Sequence, residues 1–503
     1  MANVNRNIIA NIIGKGFSAV FSFIFVPFYL KYLGIEAYGL IGFFLTLQMV
    51  LLLADAGFSA AITREVALQA AYKGFQQKAQ NLCRTFELIY FAIGVILSIV
   101  VLFSSDFVAY NWINTESLAK DEVQKSIILM GVIIGMQFPI VMYQGVLNGL
   151  QQQVVLNVLI IFAGLARGSG AVFLLYAVEA SLDTYFKWQV VVSVFQLIII
   201  YFLVWRNFEW SKSKFDVFLI RPLARFAVGM ALISVTSSIL IQTDKLILSK
   251  MLSLETFAYY SLGGILASVP MLFANPIHTA VYPRFTNLIT TQNTAELTTL
   301  YHYSCQLLAV LVLPIGIVVI AFSKNLLLLW TGDALTANNT FLIASVLATG
   351  STLLGLMYIP YAIQLASGWT SLPLTVNVIA IIVLVPLTIW LASLYGAIGA
   401  ACVWVILNVG YVLGTVQWMH RRILPKEKWN WYVNDVGKPL LVTVVLVTAS
   451  KSIFSTDSTM LLQAVWIIAT LIITTLMASL SAPAIRRILV AKFREIVIHK
   501  SLN

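Results

Sequence analysis

Runs of about twenty apolar residues recur from one end of this chain to the other, and they exclude most architectures. An α-helix rises 1.5 Å per residue, so about twenty residues cross the ~30 Å hydrocarbon core of a bilayer. Inside hydrocarbon every backbone N–H and C=O needs a partner, which leaves helices or closed barrels, and runs of this length select helices. About fourteen runs are legible, centred near residues 18, 49, 95, 137, 167, 195, 233, 270, 311, 352, 382, 407, 446 and 470. The 503 residues are 60% hydrophobic and only 10% charged, which leaves little chain for a soluble domain. The expected fold class is an all-α polytopic membrane protein with about fourteen transmembrane helices.

The beginning lacks the short apolar core and cleavage site of a secretory leader, so the first run is expected to persist as a signal anchor. Cys83, Cys305 and Cys402 lie in or beside the runs at no metal-ligand spacing and read as packing residues. The formal charge of +11 does not indicate nucleic acid. With the N-terminus inside, alternate connecting segments collect the arginines (Arg64, Arg84, Arg206, Arg221, Arg284, Arg421, Arg422, Arg486 and Arg487), while the opposite segments hold only scattered lysines such as Lys120, Lys187 and Lys324. That asymmetry places both termini in the cytoplasm.

The two halves carry a weak repeat. "KYLGIEAYGLIGFF" from Lys31 resembles "KMLSLETFAYYSLGG" from Lys250, so that Glu36 falls opposite Glu255, an offset of 219. At the same offset Gly149 in "VLNGLQQQVVLN" meets Gly368 in "QLASGWTSLPLTVN". Six spans per copy, an even number, give two six-helix bundles related by a pseudo-two-fold axis along the membrane normal, plus two C-terminal helices. The expected organisation is a bundle over 1–205, a charged cytoplasmic linker over 206–222, a second bundle over 223–420, two additional spans over 421–482 and a cytoplasmic amphipathic tail over 483–503.

Ionisable residues inside spans are expensive, roughly 2.5–3.5 kcal/mol each on insertion scales, and point to function. Asn7, Asn11, Lys15, Ser18 and Ser22 form one polar stripe on the first helix, and Gln48, Asp55, Ser59 and Thr63 form another on the second. Lys15 reads as a cavity-lining cation, and Asp55 as its ion-pair partner or, in the alternative, a proton site. Arg167 in "FAGLARGSGAVF" is a second cation, in ligand contact or structural, with glycines that would permit a helix break. At the offset of 219, Lys15, Asp55, Glu87 and Arg167 fall opposite Ser234, Ala274, Gln306 and Pro386, so the charges belong to the first copy. Asp244 reads as a helix-end anchor, His278 as a packing residue, and tryptophans such as Trp205, Trp369 and Trp418 as an interfacial belt. No Walker A sequence and no cluster of metal ligands is present, so no cofactor is expected.

"YLGIEAYGL", "VLNGLQQQVVLN", "TDKLILSKMLSLETFAYYSL", "LLLLWTGDAL" and "IQLASGWTSLPLTVN" followed by "YGAIGAACVWVILN" resemble the polysaccharide-exporter branch of the multidrug/oligosaccharidyl-lipid/polysaccharide (MOP, MATE-like) superfamily, closest to its O-antigen-type lipid-linked oligosaccharide flippases, from about residue 7 to residue 425. The resemblance implies a non-enzymatic, multi-pass protein of the bacterial cytoplasmic (inner) membrane. It would carry an undecaprenyl-pyrophosphate-linked oligosaccharide from the inner to the outer leaflet by alternating access. Lys15, Arg167, Asn11 and Gln48 would then replace the water of the pyrophosphate, with Arg64 and Arg284 gathering the headgroup. Asp55, Glu87 and Asp244 are the candidates for charge pairing or for coupling to H+ or Na+. Membrane lipids, a polysaccharide polymerase and chain-length machinery are the further partners implied; nucleic acid is not. Two rivals stand beside it: a multidrug or metabolite cation antiporter of the same fold, and a membrane glycosyltransferase or ligase acting on the same lipid.

Overall fold

The computed structural model describes residues 16–17, 21, 23–55, 57–70, 76–208, 213–369, 371–455 and 458–491. These form helices and turns, with one isolated bridge, Asn114 to Ser253. Lys15 and Asn11 lie outside the described residues, as does the tail beyond residue 491. The chain divides into two compact units, one ending at Ala258 and one beginning at Tyr259.

The first unit contains α1 (Val26–Leu33), α2 (Ile35–Leu51), α3 (Phe58–Ala70), α4 (Gln76–Phe107), α5 (Lys120–Gly149), α6 (Gln153–Ala177), α7 (Leu182–Trp205) and α8 (Ile220–Met251). Pro27 in the first turn of α1 needs no hydrogen-bond acceptor, and Gly34, at φ +83°, ends the helix in a conformation that β-carbon sterics disfavour. The closest packing is between α4 and α5. Gly94 and Ser98 on α4 face Gly131 and Gly135 on α5, so small residues one turn apart meet on both sides. A β-carbon on Gly94 would collide with the carbonyl of Gly135, and Ser98 Oγ donates to Gly131 O at 3.0 Å. Association in lipid gains little from hydrophobic burial, so this close backbone approach supplies the attraction.

Glu36, one of the residues that mark the repeat, is buried and accepts from the backbone N–H groups of Glu116 (2.6 Å), Ser117 (2.8 Å) and Leu118 (3.2 Å). It thereby pins the loop before α5. The described part of the expected linker is also pinned: Lys214 N donates to Asn81 Oδ1 at 2.8 Å, and Asp216 N donates to Thr85 Oγ1 at 2.9 Å, both on α4.

Helix α9 (Leu254–Ala267) runs across the division of the chain at Ala258, and the second unit goes on with α10 (Met271–Thr290), α11 (Thr294–Thr331), α12 (Ala334–Leu356), α13 (Tyr358–Ala366), α14 (Ser371–Gly410), α15 (Val416–Arg422), α16 (Lys428–Asn430), α17 (Lys438–Ile453) and α18 (Met460–Ser481). Helix starts along the chain fall close to the sequence offset of 219: Leu254 is 219 residues after Ile35, Thr294 is 218 after Gln76, and Ser371 is 218 after Gln153. Helix α14 reverses at Gly396, φ +58°, where the first unit has the separate helices α6 and α7. The added helices pack on α11 through Phe322, Val318, Val447 and Ile467. The start of the tail, helical over residues 483–491, is seated by Ile485 against Val310.

Among the described residues ten helices are long and apolar enough to cross a membrane, or eleven with the bent pair α9–α10 taken as one span. The expected count of fourteen is not reproduced there. The first expected span lies mostly outside the described residues, as do the side chains of residues 221–234 in α8, and the runs near residues 382 and 407 are the two limbs of α14, joined at Gly396 within Ser371–Arg422.

Candidate functional site

Arg167 is held in an unbroken α6. The neighbouring glycines admit close neighbours instead of breaking the helix: a β-carbon on Gly168 would strike the Phe25 ring, and one on Gly170 would strike Trp188. On α7, Gln189, Ser193 and Gln196 are spaced four and three apart and share one buried face. Arg167 Nη1 donates to Gln189 Oε1 at 3.3 Å, and Nη2 donates to Ser193 Oγ at 3.0 Å and Gln196 Oε1 at 2.9 Å. Gln189 Nε2 returns a bond to the carbonyl of Arg167 at 3.3 Å.

All three acceptors are neutral, and no carboxylate among the described residues pairs with this guanidinium. Arginine has five N–H donors and is not deprotonated in proteins. The Nε–H and one Nη1–H have no acceptor among the described residues. The result is an oriented, half-buried cation within a spanning helix, with donors to spare for an anion.

Asp55 ends a 3-10 turn, Leu52–Asp55, just before Gly57 (φ +76°), so the expected second span is interrupted there. Its carboxylate accepts from Ser59 N at 3.2 Å and Ser59 Oγ at 2.8 Å, holding the first turn of α3, and from the buried Tyr90 hydroxyl on α4. Thr63, one turn on, donates to Gly145 O at 3.0 Å. Glu87, one turn before Tyr90, is buried and accepts from Arg84 Nη1 at 2.9 Å and Trp205 Nε1 at 3.0 Å. Trp205 is thus a buried donor joining α7 to α4, which corrects its reading as part of an interfacial belt.

The other expected residues are dispersed. Gln48 is half-buried on α2, and Arg64 is exposed on α3. Arg284 on α10 is exposed and ion-paired with Glu296. Asp244 lies about two turns inside α8 and not at its end, because that helix continues to Met251. His278 stacks on Tyr282 and Tyr361 with Tyr358 edge-on, a packing arrangement.

A second polar centre escaped the sequence reading. His302 on α11 bridges two carboxylates: Nδ1 lies 2.5 Å from Asp435 Oδ2, and Nε2 lies 2.9 Å from Glu427 Oε2. Gln306 Nε2 donates to Asp435 Oδ1 at 2.8 Å, and Gln306 Oε1 accepts from Ala484 N at 2.7 Å. The spacing of His302 and Gln306 by four was visible, but their partners are more than a hundred residues away.

The number, length and apolar character of the helices define a multi-pass membrane protein. Residues 4–289 match the family model described as "Polysaccharide biosynthesis protein", more than half of the chain, and the chain belongs to that family. It is 21% identical over 422 residues to a Shigella flexneri protein named as an O-antigen transporter, covering 84% of this chain and 98% of that one. Its fold is similar to that of the lipid II flippase MurJ in an inward closed conformation (TM-score 0.72, 16% identity, 92% of this chain and 97% of the other). It is similar too to an inward-facing MATE multidrug transporter of the MOP superfamily (TM-score 0.68, 13% identity, 82% and 96%). These relatives are transporters and flippases, not enzymes.

Proposed function

We propose that this protein is a flippase for lipid-linked polysaccharide precursors, and that its substrate is an undecaprenyl-pyrophosphate-linked oligosaccharide moved from the inner to the outer leaflet of the bacterial cytoplasmic membrane by alternating access. The family supports the lipid-linked class of substrate. The observation that carries the headgroup chemistry is the Arg167 guanidinium, fixed by three neutral acceptors and uncompensated by a carboxylate among the described residues. A pyrophosphate cannot enter hydrocarbon without replacing its water, and spare arginine donors suit phosphate oxygens.

In this reading Lys15, Asn11 and Gln48 complete the headgroup contacts, and Arg64 and Arg284 gather the anion at the entrance. Asp55 and Asp244 are the candidates for H+ or Na+ coupling, while Glu87, already neutralised by Arg84, serves charge pairing. The arginine asymmetry of the connecting segments supports cytoplasmic termini. An inside-negative potential favours outward movement of an anion by about 2.3 kcal/mol per charge per 100 mV. A polymerase and chain-length machinery would receive the product.

The test is translocation of a fluorescent undecaprenyl-pyrophosphate oligosaccharide in proteoliposomes, comparing the unmodified protein with Arg167→Gln and Lys15→Ala. Movement by the unmodified protein and its loss in folded Arg167→Gln support the reading. Normal movement in both variants removes the headgroup assignment, and no movement by the unmodified protein removes the substrate.

A further inference from the structure

The two limbs of α14 and the segment that follows splay apart into an open apolar groove. Val376, Ile379 and Val383 line one side, and Ile406, Tyr411 and Trp418 the other. Its floor is deepened by Gly410 and Gly414, one turn apart, where a side chain would meet nothing within 4 Å. The backbone widens to a π-turn over Tyr411–Thr415, a distortion frequent at functional positions. Tyr411 Oη donates to Asn377 Oδ1 at 3.1 Å and bridges the two sides.

No charged residue occurs between Ser371 and Met419, and the flanking Val378, Ile382 and Leu413 are exposed. Such a surface at spanning depth faces hydrocarbon. The groove ends at a different chemistry: Arg422 is one turn beyond Trp418 on the same face, exposed, with its guanidinium 4.8 Å from the centre of the Trp369 ring, and Arg421 is exposed beside it. Indole at headgroup depth with arginine just beyond it is the arrangement that suits a lipid phosphate.

We propose that this groove is a binding site for an anionic glycerophospholipid, with one acyl chain laid between the limbs of α14 and the phosphate at Arg422. The commitment to a phospholipid rests on length. From Ile406 to Trp418 the groove runs about 18 Å at 1.5 Å per residue, close to the ~15 Å thickness of one leaflet, which an acyl chain fills and a long polyisoprenoid overruns. Deeper than the arginines the site offers an uncharged lining in which the Tyr411 hydroxyl is taken up by Asn377, so headgroup preference resides at its mouth.

The test uses the purified full-length protein with three probes: phosphatidylglycerol, phosphatidylcholine and undecaprenyl phosphate, each scored by retention in native mass spectrometry. A phosphatidylglycerol carrying a diazirine in its acyl chain maps the site by crosslinking. Expected are retention of phosphatidylglycerol over phosphatidylcholine and crosslinks within residues 371–419 of the chain. Arg422→Gln should lower the phosphatidylglycerol preference about five-fold. Gly414→Leu, which fills the floor, should abolish the crosslink. Crosslinks elsewhere, equal retention of the two phospholipids, or an unchanged crosslink in folded Gly414→Leu would overturn the proposal. Displacement of phosphatidylglycerol by undecaprenyl phosphate would overturn it in favour of the carried lipid's own chain. Should Gly414→Leu fail to fold, mapping and competition on the unmodified protein still decide.

Discussion

Arg167 Nη2 lies 2.9 Å from Gln196 Oε1 and 3.0 Å from Ser193 Oγ, a cation held by amide and hydroxyl dipoles where an ion pair would ordinarily be found. A guanidinium fixed by dipoles keeps its full charge for a ligand, whereas a carboxylate partner would cancel it. A charge-assisted hydrogen bond is worth roughly 1.5–3 kcal/mol, so Arg167→Gln is expected to slow translocation by about ten- to a hundred-fold while leaving the fold intact. Arg167→Lys, which keeps charge but loses the planar fork, should retain an intermediate rate. Proteoliposome flipping rates measured alongside thermal unfolding check both.

The acceptors make a separate prediction. Gln196→Leu and Ser193→Ala leave the charge but release Nη2, so substrate movement should weaken less than in Arg167→Gln. A double variant of Gln196→Leu with Arg167→Gln should be no slower than Arg167→Gln alone, because the amide acts only through the guanidinium. Additive losses in that comparison would place Gln196 in direct contact with substrate.

Much of the scaffold was legible because bilayer thickness translates directly into run length, and the repeat was legible because "YLGIEAYGL" and its partner keep one acid in register. Glu36 shows why that acid is there: it holds three consecutive backbone N–H groups of a connecting loop. Arg167 stood out by cost alone. Its acceptors did not, since Gln189, Ser193 and Gln196 are neutral and modestly polar, and only their spacing on α7 betrays a shared face. The His302 centre was hidden for another reason: its carboxylates, Glu427 and Asp435, come from a segment far along the chain that sequence periodicity treats as a separate addition. The first polar stripe, with Lys15 and Asn11, lies outside the described residues.

Glu36→Ala removes the acceptor for Glu116, Ser117 and Leu118 at once. Hydrogen bonds to a charged group contribute about 1.5–3 kcal/mol, less where the donors reach water as Glu116 and Ser117 do, so the 113–118 loop should become protease-sensitive and the unfolding temperature should fall. Glu36→Gln keeps an acceptor oxygen and should recover part of the loss. Limited proteolysis with mass-spectrometric mapping of the cut site reads this out.

The α4–α5 interface predicts an overpacking failure. A β-carbon on Gly135 would meet the carbonyl of Gly94 at 2.7 Å and also strike Ser98 Oγ, and backbone cannot rotate away as a side chain can. Gly135→Leu is expected to destabilise by about 1–3 kcal/mol or more. Gly264→Leu, at a position where an added side chain meets nothing within 4 Å, should have little effect, and thermal unfolding in detergent compares the pair.

Glu427 gives the pH prediction. Burial raises its carboxyl, but hydrogen bonds from Asn430 and His302 outweigh that and hold it below the usual 4.5. A depressed carboxyl contributes stability that is present above its unfolded value and lost as pH falls through the folded one. The attachment of the Glu427–Asp435 segment to α11 should therefore hold at pH 7 and loosen progressively below about pH 4.5, with His302, Asp435, His420 and Lys428 as the surrounding ionisable groups. Glu427→Gln should flatten this acid limb. His302→Ala is the harsher change because it strips partners from both carboxylates, one of them fully buried, and breaking a buried pair from one side costs about 3–5 kcal/mol. Hydrogen exchange over residues 427–437 from pH 7 to pH 4 measures it: protection that falls with acid in the unmodified protein but is already absent at pH 7 in His302→Ala assigns the clamp to this histidine, whereas equal protection in both would remove it.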